Sequence, residues 1–175
     1  MSPHNKNASK AVPLPPWNFF SLLAVAYPLG MLPKAPGTWG SLLGIPLAYG
    51  IVQVSALGGV WAFYITLMLL SLFTVFSLWV IARTEAYWQT HDDGRIVIDE
   101  VLGQAIVSCF FPFDLFHIIA AFILFRIFDI FKPGPIGWAD RKLPGAWGTL
   151  LDDVIAGIFA ALVLLGLSRL LQNHL

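Results

Sequence analysis

Charged side chains are scarce in this sequence. Ten Lys or Arg and ten Asp or Glu make up 11% of its 175 residues, whereas a soluble domain has about 25% charged residues. Hydrophobic residues account for 58% of the chain, and the mean hydropathy is +0.77. The composition therefore argues against a water-soluble domain and predicts a membrane protein with several spans.

The chain also has little cysteine and no net charge. Cys109 is the single cysteine, which excludes a disulfide within the chain and a CxxC metal site, and we expect it to serve in packing. The acidic and basic residues balance, so the overall charge indicates no nucleic-acid partner. Residues 1–16 lack the charged start and long apolar stretch of a signal peptide. They are predicted to form a flexible polar tail, and residues 17–175 a single membrane-embedded domain.

Apolar runs separated by polar segments predict an all-α, polytopic helical bundle. The first run, 17–32, is interrupted by Pro28 and Gly30, and its sixteen residues fall short of the ~20 that a bilayer requires. We expect it to form a short re-entrant or interfacial helix. Polar loops are predicted at 34–41, 83–95 and 132–148. The remaining apolar runs predict about four to five membrane helices, at 42–57, 60–82, 96–111, 114–131 and 150–171.

Five acidic residues occur at the ends of these apolar runs. If successive helices cross the membrane in alternate directions, all five lie on one side; they are Asp99, Glu100, Asp129, Asp152 and Asp153. A helix start at Gly148-Thr149 would put Asp152 and Asp153 in the first turn, where the helix dipole favours carboxylates. The same side collects six basic residues, which favours the cytoplasm; they are Lys34, Arg83, Arg95, Lys132, Arg141 and Lys142.

Carboxylates gathered at one level repel one another and require cations. Arg126 lies three residues before Asp129, on the same helical face, and supplies one cation. A divalent ion would supply another, and Mg²⁺ is commonly bound by one or two carboxylates together with a substrate phosphate. The pattern therefore predicts a metal-assisted phosphoryl site at a membrane surface.

Each of these features also has a plainer interpretation. A single acid at a helix end, such as Asp99 or Asp129, is more often a capping or solvated residue, and Arg126 with Asp129 could form a purely structural ion pair. His91 lies in a polar loop, where solvation is the default and a general-acid role the alternative. A small ion transporter is a rival class for the whole chain. Transporters place their ion sites near the membrane midplane at broken helices, whereas these acids lie at helix ends.

Four segments resemble the phosphatidylglycerophosphatase A family of bacterial membrane enzymes. They are PGTWGSL (36–42), HDDGRIVIDEVLGQ (91–104), FRIFDIFKPGPIGWADR (125–141) and GTLLDDVIAGIFAAL (148–162). The resemblance implies a Mg²⁺-dependent hydrolase that converts phosphatidylglycerol phosphate to phosphatidylglycerol and inorganic phosphate. It also implies a multi-pass protein of the bacterial inner membrane whose active site faces the cytoplasm.

The resemblance suggests a role for each candidate site residue. The metal ligands would be Glu100, Asp129, Asp152 and Asp153, with Asp99 a weaker candidate. The same four acids and Arg126 form the expected catalytic set. The phosphate would be bound by Arg126, Lys132, Arg141 and Lys142, with Thr38 and His91 also in the substrate site. Water is the expected nucleophile, and an Asp nucleophile is the alternative. The expected partners are the phospholipid substrate and membrane lipid, and the sequence leaves the oligomeric state open.

Overall fold

The described part of the chain, residues 16–173, is helical. In this computed structural model it forms seven α-helices and two short 3₁₀ turns, with no strand within that range. The predicted all-α class is therefore confirmed. The predicted flexible tail, 1–16, lies outside the described residues except for Pro16. The helices are α1 (Phe19–Ala24), α2 (Pro36–Ala56), α3 (Ala62–Trp88), α4 (Ile98–Ser108), α5 (Leu115–Phe131), α6 (Pro135–Lys142) and α7 (Ala146–Asn173), and the 3₁₀ turns are Leu29–Met31 and Gly59–Trp61.

Three helical segments are long and apolar enough to cross a membrane, judged by length and composition: Pro36–Ala56, Gly59–Trp88 and Ala146–Gln172. The shortest has 21 residues, or about 32 Å at 1.5 Å per residue, against a hydrocarbon core of ~30 Å. The 17 residues of α5 and the 11 of α4 are shorter than that core. Three spans are therefore supported, and the total of four to five stays a prediction for α4 and α5.

The N-terminal apolar run forms α1 and a 3₁₀ turn rather than one continuous helix. Asn18 caps α1, because its side chain accepts a hydrogen bond from Ser21 N at 2.8 Å while Ser21 Oγ accepts one from Asn18 N at 2.9 Å. Helix α1 packs against α3, and Ala24 at its end is fully buried. Its six residues are too few to cross a membrane.

Helix α4 lies at the centre of the packing, between α2 and α7. Ten of its eleven residues are buried, and Glu100 is partly buried. Glycines allow both α2 and α7 to lie close to α4. On α2, a Cβ at Gly40 would lie only 2.8 Å from Val97 Cβ, and on α7 a Cβ at Gly157 would overlap the backbone of Gly103. Small residues at helix contacts are the usual means by which membrane helices pack closely.

The prediction of a loop at 34–41 is wrong from Pro36 onward, where the chain is helical. Helix α2 begins at Pro36, which suits a first turn because proline has no N–H to satisfy there. Ala35, with a φ of 49°, turns the chain immediately before it. Gly37 and Gly40 of this segment lie against the start of α4, where they meet Glu100 and Val97.

The loop predicted at 83–95 is also wrong in part, because α3 continues to Trp88. Ile81, Glu85 and Trp88 are buried at helical spacing, so one face of this polar segment packs inward. The helix ends at Gln89, which has a φ of 53°.

The loop predicted at 132–148 contains α6 and the start of α7. Gly145, with a φ of 56°, makes the turn, and α7 begins at Ala146, two residues ahead of the predicted start. Asp152 and Asp153 are therefore the seventh and eighth residues of α7. The helix dipole acts mainly within the first turn, so the dipole explanation for these two acids is wrong.

Candidate metal and phosphate site

Three carboxylates from two helices meet beside the crossing of α4 and α7. Asp99 and Glu100 lie in the first turn of α4, and Asp153 lies on α7. One oxygen atom of each lies within 4.8 Å of the other two, a spacing at which the three could hold a metal ion. Asp99 and Asp153 are only 5% and 4% exposed, so water screens their charges poorly. These three residues are called the carboxylate cluster below.

The carboxylate cluster has unsatisfied oxygen atoms. Among the described residues, Glu100 Oε2 and Asp153 Oδ1 are buried and have no hydrogen-bond partner. A buried charge without a partner is costly, and neighbouring like charges add to that cost. A divalent cation would relieve both. Carboxylate oxygens are the ligands preferred by Mg²⁺, Ca²⁺ and Mn²⁺, so the residues present fit a hard divalent cation.

Arg126 supplies a positive charge next to the cluster. Its Nη1 lies 2.5 Å from Asp129 Oδ2 and donates a hydrogen bond to Ser41 Oγ at 3.3 Å. Its Nε is buried and has no hydrogen-bond partner in the described part of the chain. Arg126 therefore joins α5 to α2 and keeps a donor available. Asp129 is neutralised by Arg126 and does not belong to the three-carboxylate group.

Gly37, in the first turn of α2, makes room for these side chains. A Cβ at this position would overlap Glu100 Oε1 and would lie 3.1 Å from Arg126 Nη1. Gly37 O also accepts a hydrogen bond from Ser41 Oγ at 2.8 Å. The PGTWGS segment thus contacts the site through a glycine and a serine of one helix.

Lys132 bridges one acid on α6 and one on α7. Its Nζ forms an ion pair with Asp152 Oδ2 at 2.6 Å and another with Asp140. Burial acts to lower the pKa of Lys132, but the hydrogen bonds and charges of Asp140 and Asp152 outweigh it and raise that pKa above its ordinary value. Lys132 is thus a charged partner of Asp152, while Asp152 Oδ1 remains buried without a partner in residues 16–173.

A family model of phosphatidylglycerophosphatase A matches residues 22–168, which is most of the chain. The chain belongs to the phosphatidylglycerophosphatase A family. It is 42% identical over 147 residues to the phosphatidylglycerophosphatase A of Haemophilus influenzae, covering 83% of this chain and 86% of that protein. With the Escherichia coli protein of the same name it shares 35% identity over 150 residues, 85% of this chain and 81% of the relative.

A third relative has a different name. The Bacteroides thetaiotaomicron protein, named provisionally as a phosphatidylinositol-3-phosphatase, is 34% identical over 152 residues, covering 82% of this chain and 89% of its own. No solved structure matches the chain.

The other predicted substrate residues of this family member differ in their exposure to solvent. Thr38 is partly buried in the first turn of α2, next to Gly37. Arg141 and Lys142 are exposed in the last turn of α6, which packs on α7. His91 is 52% exposed in the loop before α4. These four side chains therefore lie at partly buried or exposed positions, outside the buried cluster.

The structure adds two acids that the sequence analysis did not single out. Asp140 lies on α6 and holds Lys132. Glu85 lies in the last turn of α3 and is 8% exposed. Both fall in segments that were predicted as loops. The inward spacing of Ile81, Glu85 and Trp88 was the one sequence signal that could have identified Glu85.

Glu85 joins three parts of the chain. Its Oε1 accepts hydrogen bonds from Thr149 Oγ1 on α7 at 2.9 Å and from the backbone N–H of Asp92 at 3.1 Å, and it lies 3.1 Å from His91 Nδ1. Thr149 precedes Asp153 by one helical turn on α7. Glu85 therefore fixes the loop before α4 against the helix that carries part of the cluster.

A second ion pair makes this loop compact. The guanidinium of Arg95 donates to both oxygens of Asp93, at 2.8 and 2.6 Å, and stacks on the Trp88 ring at 5.0 Å. The Arg95 hydrogen bond lowers the pKa of the Asp93 carboxyl, and the Asp93 hydrogen bond raises that of Arg95. The loop that leads into Asp99 and Glu100 is thus held at its centre and at its start.

Proposed function

We propose that this protein is a Mg²⁺-dependent phosphatase that hydrolyses phosphatidylglycerol phosphate to phosphatidylglycerol and inorganic phosphate. Family membership supports the reaction, since two relatives are named phosphatidylglycerophosphatase A. The observation that carries the proposal is the buried carboxylate cluster, with its unpaired oxygen atoms, next to Arg126. Such a site suits a metal ion together with a phosphate group.

The metal would be held by Asp99, Glu100 and Asp153. A bound Mg²⁺ would neutralise charge on the phosphate oxygens during the reaction. Asp129 and Asp152, expected from the resemblance to be ligands too, are each paired with a cation. Their proposed role is to orient Arg126 and Lys132. Asp99, the weaker candidate by resemblance, is a better supported ligand than either.

The phosphate would be bound chiefly by Arg126, whose planar guanidinium can donate two parallel hydrogen bonds to phosphate oxygens. Lys132 adds a second positive charge, and Thr38 a hydroxyl near the start of α2. Arg141 and Lys142 lie exposed on α6, where they would meet the anionic headgroup rather than the reacting phosphate. Water is the proposed nucleophile, and the site residues align it with the phosphorus atom by holding the phosphate in one orientation.

The proposed location is the cytoplasmic face of the bacterial inner membrane. Three apolar helices support a membrane protein, and the predicted basic residues support a cytoplasmic site through the positive-inside rule. The substrate's acyl chains would remain in the bilayer, while its headgroup reaches the cluster from the aqueous side. The Bacteroides relative supports a lipid phosphate as the substrate class, and the two relatives named first support the phosphatidylglycerol headgroup.

The proposal is tested by phosphate release from phosphatidylglycerol phosphate in detergent micelles, with Mg²⁺ or with a chelator. We expect release with Mg²⁺, none with the chelator, and recovery when Mg²⁺ is restored. Asp153→Asn should lose activity by at least ~1000-fold because it removes a ligand charge at nearly constant size. Asp114→Asn is the matched control, since this exposed N-cap of α5 lies far from the cluster and Asn also caps well. Full activity in the presence of the chelator, or full activity of Asp153→Asn, would contradict the proposal. A preference for phosphatidylinositol 3-phosphate would mean that the proposed substrate is wrong.

A further inference from the structure

The pairing of His91 with Glu85 gives a histidine a fixed orientation in the loop that leads to the site. A carboxylate can only accept hydrogen bonds, so the 3.1 Å contact with Glu85 Oε1 places the hydrogen on His91 Nδ1. The other ring nitrogen, Nε2, is then the atom that can act on a substrate. The ring is 52% exposed, whereas its carboxylate partner is buried.

We propose that His91 donates a proton to the leaving oxygen of the substrate and that Glu85 is the positioning residue that holds His91 for this step. The inference rests on the proposed function and goes beyond it by assigning a role to Glu85. A buried acid that orients a histidine through Nδ1 is a recurrent arrangement in enzymes that move protons at Nε2. Here Thr149 and the Asp92 N–H fix the acid in turn.

Glu85 links His91 to the helices that carry the proposed metal ligands. Thr149 lies one turn, about 5.4 Å, ahead of Asp153 on α7, and the loop that carries His91 leads directly into Asp99. Glu85 thus connects His91 to both helices of the carboxylate cluster. The loop that carries His91 also contains three further charged groups. They are Asp92, Asp93 and Arg95, and the last two are paired with each other.

The step balances without any further reagent. The bond between phosphorus and the ester oxygen breaks, and its electron pair stays on that oxygen. The Nε2 proton of the protonated imidazole moves to the same oxygen, which leaves as the alcohol of the lipid headgroup. Water supplies the oxygen that joins phosphorus, and a proton from water restores the imidazolium. An alkoxide is a poor leaving group, so proton donation of this kind contributes about 10²- to 10⁴-fold in rate.

A purely structural Glu85 would hold the loop in place but would not act through His91. A double-variant comparison separates the two roles, using phosphatidylglycerol phosphate with saturating Mg²⁺. We expect His91→Asn to lower kcat ~100-fold while KM stays within about threefold, because proton donation affects the reaction rather than binding. Glu85→Gln should lower kcat at least ~10-fold, since the amide keeps an acceptor for Thr149 and Asp92 but loses the charge that holds the histidine. The double variant should be no slower than His91→Asn alone.

Asp114 and His117 provide a matched control pair, because they also form an acid–histidine contact, at 2.7 Å, but at the opposite end of α5 from Arg126. Asn at either position should leave kcat unchanged. Histidine ¹⁵N NMR at mildly alkaline pH gives a readout that does not depend on activity. The His91 signal, identified by its loss in His91→Asn, should show the Nδ1–H tautomer in the wild type and lose that preference in Glu85→Gln.

Multiplied losses in the double variant, an unchanged tautomer in Glu85→Gln, or normal turnover of His91→Asn would overturn the inference and leave the proposed function standing. Absence of phosphate release by the wild type would overturn the proposed function, and this inference with it.

Discussion

Replacing Gly157 by alanine tests whether the close crossing of α4 and α7 builds the carboxylate cluster. A Cβ at Gly157 would overlap Gly103 O and lie 3.2 Å from Gly103 C and 3.3 Å from Gly103 Cα. All three are backbone atoms, which cannot rotate away as a side chain can. The two helices must therefore move apart. The helix that moves carries Asp153, and its neighbour carries Asp99 and Glu100.

The expected cost follows from two opposing effects. Alanine is a better helix former than glycine by ~1 kcal/mol in an aqueous helix. Inserting a methyl group into a closely packed contact costs about 1–3 kcal/mol, and the backbone contact places this position at the upper end. We therefore expect a net destabilisation of about 1–2 kcal/mol. Gly166→Ala on the same helix is the control, because a Cβ there meets nothing within 4 Å.

The assay is thermal unfolding in detergent together with a Mg²⁺ titration of phosphate release. Gly157→Ala should unfold at a lower temperature and require more Mg²⁺ for half-maximal activity, because the three carboxylates proposed to hold the metal would be spread apart. Gly166→Ala should match or exceed the wild type in stability, with an unchanged Mg²⁺ requirement. If both variants behave alike, the crossing does not determine the geometry of the cluster and the reasoning is refuted.

Three further outcomes are expected. Arg126→Lys should lower kcat about 100-fold, or ~3 kcal/mol, because Lys loses the planar two-pronged donor; a fall of less than about threefold, ~0.6 kcal/mol, would reduce Arg126 to a counter-ion. Mg²⁺ at ~100 times its Kd should stabilise the wild type against unfolding by about 2.7 kcal/mol and Asp153→Asn much less, and equal stabilisation would place the ion elsewhere. Trp138→Cys, on the exposed surface of α6 and combined with Cys109→Ser, should react with an impermeant thiol reagent only after cells are permeabilised, and labelling of intact cells would reverse the orientation.

Much of the fold could be predicted because long apolar runs leave few alternatives to helix. The errors fell in segments rich in Pro, Gly and charge, such as 34–41 and 132–148. Proline there begins a helix instead of breaking one, and glycine mediates a helix contact. Local composition cannot distinguish these cases, because the deciding factor is the neighbouring helix.

The candidate site could likewise be predicted only in part. Alternate crossing of successive helices was sufficient to predict that acids on α4 and α7 would approach each other, and Asp99, Glu100 and Asp153 do so. The sequence could not show which of the five acids are the best candidates for metal ligands. That depends on which acids already form an ion pair with a basic side chain. Arg126 is three residues from Asp129 and could be paired with it in advance, whereas Lys132 reaches Asp152 across twenty residues.

The balance of charge predicts that the metal would bind before the substrate. Six carboxylates converge on two cations, so a fully ionised site would hold four uncompensated negative charges; the acids are Asp99, Glu100, Asp129, Asp140, Asp152 and Asp153, and the cations are Arg126 and Lys132. A phosphate group would be repelled by that site in its metal-free form, and burial strengthens the repulsion. A divalent cation bound by the carboxylate cluster would halve that excess, from four negative charges to two, and would add a positive charge at the cluster itself. In the proposed site, Arg126 and Lys132 are held by Asp129 and Asp152 and would add their positive charges to that of the metal. We therefore expect the acids paired with cations to matter as much as those left unpaired, because they hold Arg126 and Lys132, the proposed phosphate-binding groups, in place.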